Sequence, residues 1–144
     1  MQSESINIRL KMVGKPEIIQ QPIINTKATK ELKVNYNVQV IVNRPKSEIE
    51  VIVSLSYLIG KDSSFSGKLS CIFDVLNLES FITSKNNSDA FIISSNFLPM
   101  LINIAFSTTR GYFVSEFKNT ALAKYPFPLV ETEKLLSKTS YQLI

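Results

Sequence analysis

The sequence predicts an α+β domain in which a four-stranded antiparallel sheet of long strands is followed by a long helix and a short C-terminal helix. Three observations carry this expectation. Residues 32–42 and 49–59 alternate apolar and polar side chains with the period of a half-buried strand. The turn sequence Asn43-Arg44-Pro45-Lys46-Ser47 joins them, which makes the pair antiparallel. From about residue 94 the apolar spacing changes to three and four residues, the period of a helix.

The elements follow in order. Residues 5–12 read as a first strand with Ile6, Ile8, Leu10 and Met12 on one face and Asn7, Arg9 and Lys11 on the other, ended by Gly14-Lys15-Pro16. Residues 17–29 carry Ile18-Ile19 and Ile23-Ile24 around Pro22, which suits an extended edge segment or a loop. After the two long strands, Gly60 and Gly67 bracket a polar loop over residues 61–66. Leu69, Cys71, Phe73 and Val75 then form the inward face of a further strand, with Ile72 and Leu76 behind. Residues 79–89 are polar and read as a loop separating the sheet from the helical part.

The helix is expected over residues 94–117, with Ser95 or Asn96 at its cap and Pro99 tolerated near its first turn. Leu98, Ile102, Phe106, Thr109 and Phe113 fall on one line, and Leu101, Ile104, Ala105, Thr108 and Tyr112 on a neighbouring one. Only a narrow line with Asn96, Asn103 and Arg110 is polar. A helix apolar around most of its circumference needs two covers, and one sheet face supplies one. The second is assigned to another copy of the chain, through Leu98, Ile102, Phe106, Thr109 and Phe113. Gly111 in the middle of the pattern implies a close approach of a neighbouring element or a break in the helix. Residues 123–128 are extended and proline-punctuated, and Glu131 or Thr132 starts the short helix that contains Leu135 and Leu136.

Composition narrows the function. With 144 residues, 44% hydrophobic and 19% charged, the chain is one globular domain spanning residues 1–144. Residues 1–12 hold no continuous apolar stretch of the kind a signal peptide needs, and nothing approaches a membrane span, so a cytoplasmic protein without membrane insertion is expected. Cys71 is the one cysteine and there is no histidine, so metal ligation and nucleophile-base pairs lack their residues and no metal site is expected. On the apolar side of a strand Cys71 reads as core, and Asp74, alternating outward, as a solvated carboxylate. The glycines at 14, 60, 67 and 111 match no phosphate-binding loop, and no pair of carboxylates is set apart by spacing. Neither enzyme nor cofactor is expected. The net charge is +4, with eight Lys/Arg against three Glu in residues 1–46 and eight against nine acids in the rest, but no basic clusters are interleaved with aromatics, so nucleic acid is not the expected partner.

One resemblance covers nearly the whole chain. The run Leu98-Pro99-Met100-Leu101-Ile102-Asn103-Ile104-Ala105-Phe106-Ser107-Thr108-Thr109-Arg110-Gly111-Tyr112-Phe113, then Tyr125-Pro126-Phe127-Pro128-Leu129-Val130 and Leu135-Leu136, resembles the long helix, proline loop and terminal helix of the SecB family of bacterial protein-export chaperones and their relatives. The resemblance implies an ATP-independent chaperone or holdase that binds unfolded or partly folded polypeptide, assembled as a dimer of dimers. It places client-binding residues at Phe73, Val75 and Leu76 on the last strand and at Tyr125, Phe127 and Leu129 in the loop. The chain departs from the export chaperones in being basic, and in carrying Asp74-Val75-Leu76 where a glycine-aromatic pattern is expected. An oligomeric structural or adaptor protein of the same fold, with no client, is the alternative.

Overall fold

The structure, a computed structural model, describes residues 8–14, 17–20, 32–59, 62–84, 91–93, 97–117 and 130–144. Its centre is the hairpin of β3 (Leu32–Asn43) and β4 (Glu48–Ile59), paired in unbroken antiparallel register from Leu32 opposite Ile59 to Asn43 opposite Glu48. Strand β5 (Asp62–Val75) lies antiparallel on the other side of β4, so β4 is the central strand. Two short segments, β1 (Ile8–Val13) and β2 (Glu17–Gln20), share the outer edge of β5, β1 against its end and β2 against its start.

Alternation decides which face is buried. Val38, Val40 and Val42 of β3, Ile49, Val51, Val53, Leu55 and Tyr57 of β4, and Leu69, Cys71, Phe73 and Val75 of β5 are all buried on one face. The other face mixes polar side chains such as Ser54, Ser56 and Ser70 with Ile41, Ile52 and Ile72, none fully buried. Helix α1 (Phe97–Phe117) packs on the apolar face across β4 and β5. It contributes Leu101, Ile102, Ala105, Phe106 and Phe113 to the core, and Tyr36 meets Phe106 edge to face at 6.1 Å between ring centres. Removing a side chain of this kind costs about 3–5 kcal/mol through lost transfer energy and the cavity left behind.

A 3-10 turn (Leu78–Phe81) and the small hairpin β6 (Ile82–Ser84) and β7 (Phe91–Ile93) connect sheet to helix. The short helix α2 (Thr132–Ser137) buries Leu135 and is tied to α1 by Asn103, whose amide nitrogen donates to Thr132 Oγ1 at 3.1 Å.

The α+β architecture with its long and short helices is as the sequence predicts. Residues 79–84 of the expected loop belong to the 3-10 turn and to β6, and four further features differ. The main sheet has six strands instead of four and is not purely antiparallel: β8 (Thr139–Leu143) follows α2 and pairs in parallel with Val38–Val42 of β3. Too short and mixed to show a period, Thr139-Ser140-Tyr141-Gln142-Leu143 gives no strand signal. The loop expected at 61–66 is mostly strand, since β5 begins at Asp62; its run of serines hides the alternation, and pairing to β4 and β2 fixes its conformation. In β1 a bulge between Leu10 and Met12 shifts the register, so Met12 lies opposite Ile72 on the outer face instead of sharing the face of Ile8 and Leu10. Gly111 neither breaks α1 nor meets a neighbour, because a methyl added there has nothing within 4 Å. The caps expected at Ser95 or Asn96 lie outside the described residues.

Candidate functional site

Where β1, β4 and β5 meet at one end of the sheet, the chain forms an open cleft of about 510 Å³. Its lining comes from three places: Ile8 and Arg9 of β1, Lys46 and Ser47 of the β3–β4 turn, and Asp74, Val75 and Leu76 at the end of β5. Strand register brings them together, since Arg9 lies opposite Asp74 and Asp74 opposite Glu48, the residue after the turn.

The turn is locked onto β5. The Asn43 side-chain oxygen accepts from the Lys46 amide at 3.2 Å, and the Ser47 amide donates to the Arg44 carbonyl at 3.1 Å. Ser47 takes the left-handed conformation, φ 53°, which a side chain normally disfavours. In that conformation its hydroxyl donates to the Val75 carbonyl at 2.8 Å while its own carbonyl accepts from the Val75 amide at 3.0 Å. Asn77, just beyond Leu76, is the other left-handed non-glycine residue among the described residues, with φ 61°. Ser47 lines the cleft and Asn77 lies one residue beyond its lining, each held by the bonds around it.

Charge in the cleft is uneven. Arg9 Nη2 donates to Asp74 Oδ2 at 2.8 Å, and just outside the lining Lys11 Nζ pairs with Glu48. Asp74 and Glu48 thus each have a cation, whereas Glu50, two residues further on, accepts from the Ser70 hydroxyl; the hydrogen bond and charge of Glu48 raise the Lys11 pKa above its ordinary value. Lys46 is exposed, and its ammonium has no ion-pair partner among the described residues. The Arg9–Asp74 pair is largely solvated, so it contributes roughly 0–1 kcal/mol to stability and serves mainly to position the guanidinium.

The residues expected at the client site are distributed as follows. Leu76 is 58% exposed and forms part of the cleft rim. Val75 lines the cleft but is only 1% exposed, and Phe73, also 1% exposed, is packed inside the core under α1. Tyr125, Phe127 and Leu129 lie outside the described residues. Ile8, Arg9, Lys46 and Ser47 have no sequence signal as site residues, because only the pairing of strands distant in the chain brings them together.

Leu98, Ile102, Phe106, Thr109 and Phe113, the helix line expected to meet another subunit, are all buried within their own chain, packed toward the sheet. Thr109 fits there because its hydroxyl donates to the Ala105 carbonyl at 2.7 Å, leaving its methyl for packing. Leu101 and Ala105 of the neighbouring apolar line are buried as well, so the sheet covers both lines over much of their width, a breadth that periodicity alone does not fix. The apolar line left exposed is Met100, Ile104 and Val114, at 48%, 38% and 52%.

Cys71 is fully buried on the inner sheet face, and burial raises its thiol pKa above the ordinary value. Among the described residues no helix is long and apolar enough to cross a membrane.

Comparison with protein-family models gives no match, and neither does comparison with curated proteins. Among solved structures, the chain is similar to the SecB-like chaperone Rv1957 of Mycobacterium tuberculosis in complex with a ChAD peptide from the Rv1956 HigA1 antitoxin. The TM-score is 0.47 and the identity 12%, over 88% of this chain and 89% of that one. It is also similar to a protein of unknown function from Streptococcus agalactiae, with a TM-score of 0.39 and 12% identity over 88% of this chain and 98% of that one.

Proposed function

We propose that this chain is a SecB-like, ATP-independent holdase of the cytoplasm that binds unfolded or partly folded polypeptide and works as a homo-oligomer. The observation that carries the proposal is apolar surface left over after the core is complete. Leu10, Met12 and Val13 on the edge strand, Leu76 at the cleft, and Met100, Ile104 and Val114 on α1 are all exposed, although sheet and helix already bury one another. Apolar surface gathered on one side of an element, as Met100, Ile104 and Val114 are on α1, is what a polypeptide-binding or self-associating protein presents. The order of elements, sheet then long helix then short helix, agrees with the sequence resemblance that suggested the family.

Two surfaces take different roles in this proposal. The α1 line through Ile104 receives a second copy, as the apolar circumference of the helix requires. The edge strand and cleft receive client, whose extended backbone and alternate side chains suit a sheet edge. A structural or adaptor protein of the same fold would share the first surface and lack the second.

The deciding experiment mixes the purified protein with a chemically unfolded client diluted from denaturant and follows light scattering. Suppressed aggregation and slowed refolding at a few-fold excess, without nucleotide, are expected. Unchanged scattering at large excess contradicts the holdase and leaves the adaptor.

A further inference from the structure

We infer that the cleft at the end of β5 selects client segments in which an acidic side chain neighbours an apolar one. The inference rests on the polypeptide-binding proposal and adds a chemical preference to it. Its basis is the pairing of charge with apolar surface around one cavity. Lys46 brings an ammonium with no ion-pair partner among the described residues, and Arg9 reaches Asp74 through one of its nitrogens, leaving other donors for a second carboxylate. Asp74, the acid of the lining, is already engaged by Arg9, and Glu48 beside it is engaged by Lys11. The cleft therefore holds one cation more than its own acids neutralise.

Beside those cations stand Ile8 and the largely exposed Leu76, with Val75 as floor. In an extended strand successive side chains point to opposite sides, so an acid and an apolar residue two positions apart share one face and reach the cations and Leu76 together. A volume of about 510 Å³ is in the range of pockets that take a few side chains, not a whole folded surface. The turn that carries Lys46 is held by Ser47 on Val75, so the ammonium stands on a fixed frame. A basic segment meets the opposite situation, the Lys46 ammonium facing its own cations.

The test uses fluorescein-labelled, C-terminally amidated peptides of equal length in which pairs of leucines alternate with pairs of aspartates, asparagines or lysines, so that each leucine has the varied residue two positions away on its own strand face, read by fluorescence anisotropy with the full chain. The aspartate peptide is expected to bind about tenfold more tightly than the asparagine peptide at low salt, with the gap closing as salt is added. Lys46→Glu is expected to abolish the gap, whereas Lys134→Glu, an equal charge change on α2, is expected to preserve it. Circular dichroism confirms that both variants are folded. Equal binding of the aspartate and asparagine peptides, or a gap that survives Lys46→Glu, overturns the inference while leaving the polypeptide-binding proposal intact. If the asparagine peptide matches the aspartate peptide once its own C-terminus is a free acid, the cleft reads chain ends, and the inference is overturned in favour of that ligand. Absence of binding by all three peptides overturns both.

Discussion

Cys71 shows how strongly one position can be determined by its strand. It alternates inward between Leu69 and Phe73, lies opposite Val51 of β4, and is fully buried. Burial disfavours the thiolate, so the folded thiol holds its proton more tightly than the unfolded one. Its contribution to stability is complete below the ordinary thiol range and is lost as the pH rises through that range toward the raised folded value. A thiol reagent such as DTNB is accordingly expected to leave the native protein unmodified at neutral pH and to react fully in denaturant; rapid native reaction would place the sulfur at the surface. Residue identity made this position legible from the sequence. It did not do so for Lys46 or Arg9, which look like any other surface cations until the sheet sets them beside Leu76.

At the level of elements, what was legible is what has a period. The long strands β3 and β4, the inner face of β5 and the extent of α1 all repeat over enough residues for their alternation to identify them. Strand β8 has only five residues, and its place is set by backbone pairing with β3. The Lys138 carbonyl accepts from the Val38 amide at 3.1 Å, and the Ile144 amide donates to the Val42 carbonyl at 2.8 Å, so that β8 in place of this part of β3 becomes the outer strand of the sheet. Deleting residues 139–144 is expected to lower stability by about 2–4 kcal/mol, from several lost backbone bonds and the packing of Leu143, as read by urea denaturation. An unchanged midpoint would mean that β8 contributes little to the fold. The bulge in β1 was illegible for a similar reason: a one-residue shift reverses every later side chain but leaves the composition unchanged.

For the whole molecule, the central question is what covers the surface that the fold leaves apolar. Which side of α1 faces outward was decided by the sheet, which took the line of Ile102, Phe106 and Phe113 and left Ile104 and its neighbours exposed. Solution mass by light scattering is expected to exceed that of a single chain, and Ile104→Glu is expected to return it to that value, because a charge on that line is costly to desolvate. Gly111 lies on the same exposed side with nothing near it in its own chain. Gly111→Ala is therefore expected to stabilise the separated chain by about 0.5–1 kcal/mol while weakening self-association if a second helix approaches there, which denaturation at two protein concentrations resolves. The most direct test of the proposed function is calorimetric titration of the protein with a permanently unfolded, soluble polypeptide over a range of temperatures. Saturable binding without nucleotide, with a negative heat-capacity change from buried apolar surface, is expected; no heat and no binding at concentrations where the exposed strand and cleft are accessible would contradict a polypeptide-binding role.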